Sequence, residues 1–410
     1  MSHKTDNQIK VPYCLPFIDE DIVAEVNDTL LNTGWLTSGP KVKLFEKMLA
    51  SYCGIEQVLA VNSWNSGTQL MLKWFGLKAG DEVIVPAYTY SATAIAAINL
   101  GAKVIMIDVG SDFNIDISKI ANAITTKTKA IIPVDIGGWP IDYDELNDLV
   151  ISHQHLFMPE SDNQQKLGRM LVLADTAHSI GAKYKGKRTG SLCDASVFSF
   201  HSVKNVTTGE GGAICLNLPE PFDNTEVYKF LQHFHLYGQT KSAKDKMGLG
   251  KWRYDIVSPG MKANMNDVSA SIGLSQLKRY EDKLLPHRLS IFRRYNEAFK
   301  EHDWAWCPND KNEYKATSGH LYMLRFKELK ELDRDRIIQI LSNNRVGVSV
   351  HYIPMAMMTY FKSVGYDIAD YPKTFKHYQN EISLPIYNGL SEAQVSYTIE
   401  QVLSAYNEIK

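Results

Sequence analysis

The sequence predicts an α/β fold: a large domain with a mostly parallel sheet between helices, then a smaller α+β domain at the C-terminal end. Two observations carry this. From about residue 57 to about residue 216, short β-rich apolar runs alternate with segments of helical spacing, and the runs lack the polar alternation of half-exposed strands. Beyond about residue 300 the order becomes strand, helix, strand. At 410 residues, 44% hydrophobic and 22% charged, the chain can bury cores of both kinds.

The clearest strands are EVIVP (Glu82–Pro86), KVIMIDV (Lys103–Val109), KAIIPVD (Lys129–Asp135), MLVLAD (Met170–Asp175), ASVFSF (Ala195–Phe200) and GAICLN (Gly212–Asn217). Between them SATAIAAINLGA and YDELNDLVISHQH have helical spacing, so right-handed βαβ crossovers should gather functional residues at the carboxyl ends of the strands. Residues 266–300 read as one long amphipathic helix, with Val268, Ile272, Leu274, Leu277 and Tyr280 near helical spacing. It links a large domain at 1–285, which includes the N-terminal segment, to a small one at 286–410. In the latter, strands Tyr322–Phe326 and Val346–Tyr352 flank a helix at Asp333–Asn344. The polar stretches Pro159–Arg169 and Gln239–Trp252 read as loops or insertions, and no internal repeat is evident.

A net charge of -2, from 44 basic and 46 acidic residues, gives no electrostatic reason to expect nucleic acid or an anionic membrane as partner. The five cysteines, Cys14, Cys53, Cys193, Cys215 and Cys307, have neither zinc-site nor disulfide spacing and suit a reducing compartment. The start, MSHKTDNQIKVPYC, lacks the apolar run of a signal peptide, and no later stretch is long enough to span a bilayer. A cytoplasmic location without a resident metal is therefore expected.

Four features carry candidate chemistry. Asn65, Ser66, Gly67 and Thr68 precede the helical run QLMLKWFGL; a small-residue turn opening a helix offers free N–H groups to a phosphate, or is a plain N-cap. Asp175 ends MLVLAD, with His178 three residues on; a carboxylate there could hold a pyridine nitrogen protonated, or cap a turn. Lys204 lies in FSFHSVKNVTTGEGGAI, after a buried-looking strand that ends near Ser199 and before glycines that imply tight backbone packing. An amine delivered into a cleft becomes nucleophilic when burial lowers its pKa, whereas a lone lysine after a strand is usually surface charge. VSPGMKANMND, residues 257–267, could be a helix entry capped by Asn266.

The chain resembles the DegT/DnrJ/StrS family of sugar aminotransferases, fold type I pyridoxal phosphate enzymes, over almost its whole length. The likeness runs through NTGWLTSGPKVKLFEKMLASYCG, DEVIVPAYTYSATA, KAIIPVDIGG, LADTAHSIGAKYKG, FSFHSVKNVTTGEGG, VHYIP and ISLPIY. It implies pyridoxal 5'-phosphate as cofactor, alternating with pyridoxamine phosphate, and Lys204 as both Schiff-base lysine and base for the proton shift. It implies that Asp175 pairs with the pyridinium nitrogen, His178 sits beside the phenolic oxygen, Gly67, Thr68 and Ser199 bind the phosphate, and Tyr90 stacks on the ring. Asn264 would reach the phosphate of a neighbouring subunit, so a homodimer with shared active sites is implied. The donor would be L-glutamate and the acceptor a nucleotide-linked sugar. FSFHSVKN, WLTSGP and the stretch from Gly238 to Asp267 look most like members that aminate C4 of UDP-linked 4-keto sugars for surface polysaccharides such as lipopolysaccharide O-antigen. His201, Arg253 and Lys262 would then contact substrate, or be a satisfied buried group and two solvated charges.

Members that dehydrate sugars replace this lysine with histidine, so Lys204 favours transamination. A 3-keto-sugar aminotransferase and a cofactor-binding regulator are the other readings, the last disfavoured by the joint presence of Lys204 and Asp175. Ala174, Asp135, the NSWNSGT turn and the insertion at Pro159–Arg169 depart from the family pattern.

Overall fold

The computed structural model describes residues 9–410. The first eight, on which part of the reading of the chain start falls, lie outside the described residues. Seven strands make the main sheet: β1 (Gln57–Val61), β2 (Glu82–Pro86), β3 (Lys103–Ile107), β4 (Thr128–Ile131), β5 (Leu171–Asp175), β6 (Ala195–Ser199) and β7 (Gly212–Leu216). Their order is β1-β7-β6-β5-β4-β2-β3. The pairs from β3 across to β6 are parallel, and only β7 runs against its neighbours. β2, β4, β5, β6 and β7 are buried along their whole length, as the unbroken apolar runs predict. The edge strand β1 is additional to the six read from sequence.

The helices that matter here are α1 (Glu20–Asp28), α2 (Pro40–Cys53), α3 (Trp64–Trp74), α4 (Ala92–Ile98), α5 (Tyr143–Ser152), α6 (Asn224–Phe234), α7 (Asp267–Leu277), α8 (Leu285–Phe299), α9 (Glu331–Asn343) and α10 (Glu392–Ile409). On one face of the sheet α3 and α4 seal an apolar core through Leu70, Met71, Ala94 and Ala97; on the other, α2 and α7 pack through Phe45, Leu49, Ala270 and Leu274. Asp267 ties this second pair together, its carboxylate accepting the N–H groups of Gly39, Lys41 and Val42 at the start of α2.

A further core gathers Phe292, Tyr295 and Phe299 of α8, Ile337 and Leu341 of α9, and Val402 of α10 around a small antiparallel sheet. Its strands are β8 (Ala305–Trp306), β9 (Tyr322–Phe326) and β10 (Glu381–Leu384). Val11 is buried in this cluster, and its N–H donates to Arg345 O at 2.9 Å.

Three expectations change. The helix expected over 266–300 is broken: the chain leaves helical geometry at Arg279 (φ -128°), and a π-helical turn, Tyr280–Leu284, then leads into α8, with Pro286 in its first turn. Val346–Tyr352 is an extended strap rather than a ladder strand, touching Val11 and Ser383 through isolated bridges at Val346 and Ser349. Pro159–Arg169 folds a short helix, Asp162–Leu167, that plugs the end of α3. There Ser161 Oγ donates to Phe75 O at 2.9 Å and Asn163 Nδ2 to Trp74 O at 2.7 Å.

Candidate active site

The carboxyl ends of β2, β4, β5 and β6 open onto one cavity of 390 Å³, closed from the other side by the strap at His351–Tyr352, by His320 and Leu321, and by Tyr13 and Cys14. Each strand contributes at its end. β2 leads into Thr89, Tyr90 and Thr93; Val134 follows β4; β5 ends at Asp175 with His178 just beyond; β6 ends at Ser199, with His201 and Lys204 on the turn that follows. The structure thus brings Lys204, Asp175, His178, Ser199, Tyr90 and His201 into one space.

The turn bearing Lys204 is closed at its base, where Phe200 N donates to Gly211 O at 2.8 Å and Thr208 N to Phe200 O at 2.9 Å. Lys204 Nζ makes no hydrogen bond or ion pair among the described residues, and desolvation holds its pKa down at about 8 despite the opposing pull of Asp175. Asp175 is 6% exposed. Its Oδ2 accepts from Thr93 Oγ1 at 2.9 Å and its Oδ1 from Ala177 N at 3.1 Å, yet burial pushes the carboxyl up to about 6. A buried carboxylate in this state gains from a cation within bonding reach.

His178 is oriented from both sides. Gly137 N donates to Nδ1 at 3.3 Å, which places the ring proton on Nε2, facing Tyr352 Oη at 3.0 Å. Burial holds its pKa well below the ordinary value, so the ring is neutral. Tyr352 Oη accepts from it and keeps its own proton for the cavity. Tyr90, 61% exposed at the rim, lies 5.8 Å from Tyr352, centroid to centroid. His201 Nε2 stands 3.6 Å from Glu210 Oε1, also at the rim.

The helix opening onto the cavity starts at Trp64, five residues before the run at Gln69 that the sequence reading took as its beginning. Ser63 caps α3, its Oγ accepting from Ser66 N at 3.1 Å, and Ser63, Trp64 and Asn65 line the cavity. The N–H groups of Trp64 and Asn65 have no intrahelical acceptor, and the Asn65 Oδ1 is buried without a partner. Gly67 and Thr68 are behind this turn and do not line the cavity. A Cβ at Gly67 would stand 2.9 Å from Val197 Cγ1, so that glycine serves helix-to-sheet packing. The close approach is repeated at Gly212 on β7, where a Cβ would meet the Ser63 and Trp64 backbone at 2.7 and 2.8 Å.

Three further sequence candidates are not brought to this cavity. Asn264 pairs with Val61 in an isolated bridge, its Nδ2 donating to Ser38 Oγ at 2.7 Å while its Oδ1 is buried and unpartnered. Lys262 bridges to Leu236, and Arg253 is exposed with its guanidinium 5.3 Å from the Trp252 ring centre. Asn65, the first residue of the candidate phosphate turn, does line the cavity; sequence reasoning missed Trp64, Thr93, His320, His351 and Tyr352. Thr93 and the last two stand inside motifs already singled out, TYSAT and VHYIP, so the signal was present without a partner to interpret it.

These residues fit pyridoxal phosphate. Free N–H groups at a helix start suit its phosphate, the desolvated Asp175 suits a protonated ring nitrogen, and an unpaired amine of lowered pKa suits its aldehyde. The DegT/DnrJ/EryC1/StrS aminotransferase family model matches residues 16–403. The spore coat polysaccharide biosynthesis protein SpsC of Bacillus subtilis (strain 168) is 36% identical over 397 residues, 96% of each chain. Spr1654 from Streptococcus pneumoniae, named as a sugar aminotransferase, superposes in its PMP-form with a TM-score of 0.94 at 39% identity, covering 98% of this chain and 100% of that one; its PLP-form gives 0.93. Helicobacter pylori PseC, an aminotransferase involved in the biosynthesis of pseudoaminic acid, gives 0.86 at 25% identity, covering 98% and 100%. The chain belongs to the DegT/DnrJ/EryC1/StrS aminotransferase family and is a pyridoxal phosphate-dependent aminotransferase.

Proposed function

We propose that the protein moves an amino group from L-glutamate to a nucleotide-linked 4-keto sugar, UDP-linked and 6-deoxy, for a surface polysaccharide, working as a cytoplasmic homodimer. The observation that carries the reading is the meeting of Lys204 and Asp175 in one cavity whose floor is a helix start. The polysaccharide biosynthesis name of SpsC, the sugar aminotransferase name of Spr1654 and the part of PseC in pseudoaminic acid biosynthesis support the acceptor class.

When bound, pyridoxal phosphate supplies a conjugated ring that spreads the charge left by removal of the donor's α-proton. The protein groups do the rest. The N–H groups of Trp64 and Asn65, with the Ser199 hydroxyl, hold the phosphate. Asp175, braced by Thr93 and Ala177 N, holds a proton on the ring nitrogen. Tyr90 covers the ring, and neutral His178 stands beside it with Tyr352. With the cofactor bound, the Lys204 amine would take the donor's α-proton and return it on the far side of the intervening nitrogen, and would do the reverse for the keto sugar. Burial lowers the pKa of this amine to about 8, which raises its neutral share well above that of a solvated lysine.

Exposed apolar side chains on residues 237–262, among them Met247, Leu249, Trp252 and Val257, favour a second copy over that surface. On this reading Asn264, Lys262 and Arg253, which do not line the cavity of their own chain, serve the partner's.

The test is direct. Purified protein with pyridoxal phosphate is expected to run at twice the 46.3 kDa chain mass, to absorb in the visible and to bleach with L-glutamate. Adding a UDP-4-keto-6-deoxy sugar should restore the colour and yield the 4-amino sugar. Bleaching without return of colour for any nucleotide-linked keto sugar would overturn the acceptor assignment, and no bleaching with glutamate the donor.

A further inference from the structure

Beneath the cavity wall a buried acid is wired to a histidine that faces the cavity. Glu381 and Ser383 of β10 are fully buried on the side of the strap away from the cavity. Glu381 Oε2 accepts the backbone N–H of His351 at 3.0 Å. Its Oε1 is 2.5 Å from Ser383 Oγ, which in turn stands 2.8 Å from His351 Nδ1. Tyr13 stacks on the ring, centroids 5.7 Å apart, with its Oη 3.5 Å from the other ring nitrogen, Nε2, and 3.4 Å from Nδ1, both well beyond the 2.8 Å contact of Ser383 with Nδ1. His351 and Tyr13 both line the cavity.

A hydroxyl between two acceptors can donate to only one of them. If Glu381 is ionised, Ser383 donates to it, and Ser383 Oγ must then accept from a proton on His351 Nδ1. Nε2 is left as a lone pair in the cavity. If Glu381 is protonated, it donates to Ser383, Ser383 donates to Nδ1, and the ring proton sits on Nε2. We propose that Glu381 and Ser383 are positioning residues whose shared hydrogen bonds set the tautomer of His351, and so decide whether the cavity meets an acceptor or a donor at Nε2.

The change balances. One proton leaves the Glu381 carboxyl for solvent, the Ser383 hydroxyl turns, and the single ring proton exchanges from Nε2 to Nδ1; only Glu381 changes charge. The groups facing Glu381 are Arg325 on β9, Arg334 on α9, Tyr88 beyond β2, His351 and Tyr352 on the strap, and Tyr13. None forms an ion pair with it among the described residues, and burial pushes its pKa up to about 8. His351 stays neutral, its own pKa held down at about 3 by burial, so the switch is one of tautomer and not of ring charge. The inference rests on the aminotransferase cavity but not on which sugar or donor enters it.

The experiment is ring ¹⁵N NMR of the histidine-labelled, pyridoxal phosphate-loaded protein from pH 6 to 9.5, the His351 signals assigned by their loss in His351→Gln. The expected result is a change from the Nε2–H to the Nδ1–H pattern with rising pH. Ser383→Ala should give one pattern at all pH values, while Ser383→Thr, which keeps the hydroxyl, should restore the change. A single tautomer across the range in the unmodified protein, or a change that survives in Ser383→Ala, would overturn the proposal. Should Ser383→Ala not fold, Glu381→Gln replaces it: loss of the pH-driven change supports the relay and its persistence overturns it. Glutamate bleaching is read separately, so a wrong donor leaves this result untouched.

Discussion

Lys204 and Asp175 owe their shifted ionisation to the same wall: removing water raises the carboxyl and lowers the amine, so both charges are pulled toward neutrality. Replacing Lys204 with Ala is expected to abolish the covalent attachment of the cofactor and to cut turnover by at least about 10²-fold, the usual worth of a positioned base, with the fold intact by circular dichroism. Asp175→Asn should leave the visible chromophore in place yet cost turnover comparably, because an amide cannot stabilise a protonated ring nitrogen; single-turnover measurements with glutamate would check it, and an unchanged rate would move that role to another residue. Asp175 was legible in the sequence because a strand of buried residues ends on it. Its brace, Thr93, was not: the two are 82 positions apart, and only the parallel neighbourhood of β2, β4 and β5 makes them partners.

At the scale of elements, the start of α3 shows how a correct motif can be read in the wrong frame. Both Asn65-Ser66-Gly67-Thr68 and Ser63-Trp64-Asn65 offer a small polar residue before a helix, and periodicity alone does not say which residue is the cap. The structure decides through packing, since Gly67 faces β6 and β7 with no room for a methyl group. Gly67→Ala is therefore expected to destabilise the cofactor-free chain by about 1–3 kcal/mol in denaturant titration, while Ser199→Ala, which removes the hydroxyl assigned to the phosphate, weakens cofactor binding with little change in that transition. The opposite pattern would restore Gly67 to the phosphate. The broken helix at Arg279 and the strap at 346–352 were misread for a related reason. An amphipathic stripe continues across a kink, and alternating apolar residues do not reveal whether a ladder partner exists.

For the whole molecule, the buried titratable groups set a pH limit. Burial holds His178, His235, His320, His351 and His377 neutral, with His235 and His377 down at about 4 and His351 at about 3. Unfolded, each would take up a proton below about pH 6.5, so the unfolded chain binds more protons and stability falls with pH by about 1.4 kcal/mol per unit per histidine. Asp135 and Asp175, raised to about 6, and Glu381, raised to about 8, act in the opposite sense, because the folded chain holds their protons as pH falls. Glu46, Asp81, Asp112 and Asp267, also raised by burial, add to that opposing side; the five histidines outweigh it because by pH 5 each unfolded imidazole is almost fully protonated. The Tm of the cofactor-free protein should thus drop between pH 6.5 and 5 in thermal scans; a flat or rising Tm would mean that the buried rings accept protons in place.

The α/β plan was readable because unbroken apolar runs announce a sheet covered on both faces, whereas the destination of Lys10, Val11 and Tyr13 was not, since their partners Gln394, Arg345 and His351 are more than 300 positions away. One consequence follows from the bare backbone of Gly212. It seats the cap of α3 directly on β7, and β7 also closes the turn that carries Lys204, through the hydrogen bond between Phe200 and Gly211. Anchor and nucleophile are thereby bolted to a single beam, so the rim can be recut for a differently shaped guest while the spacing between the two fixed points is inherited unchanged.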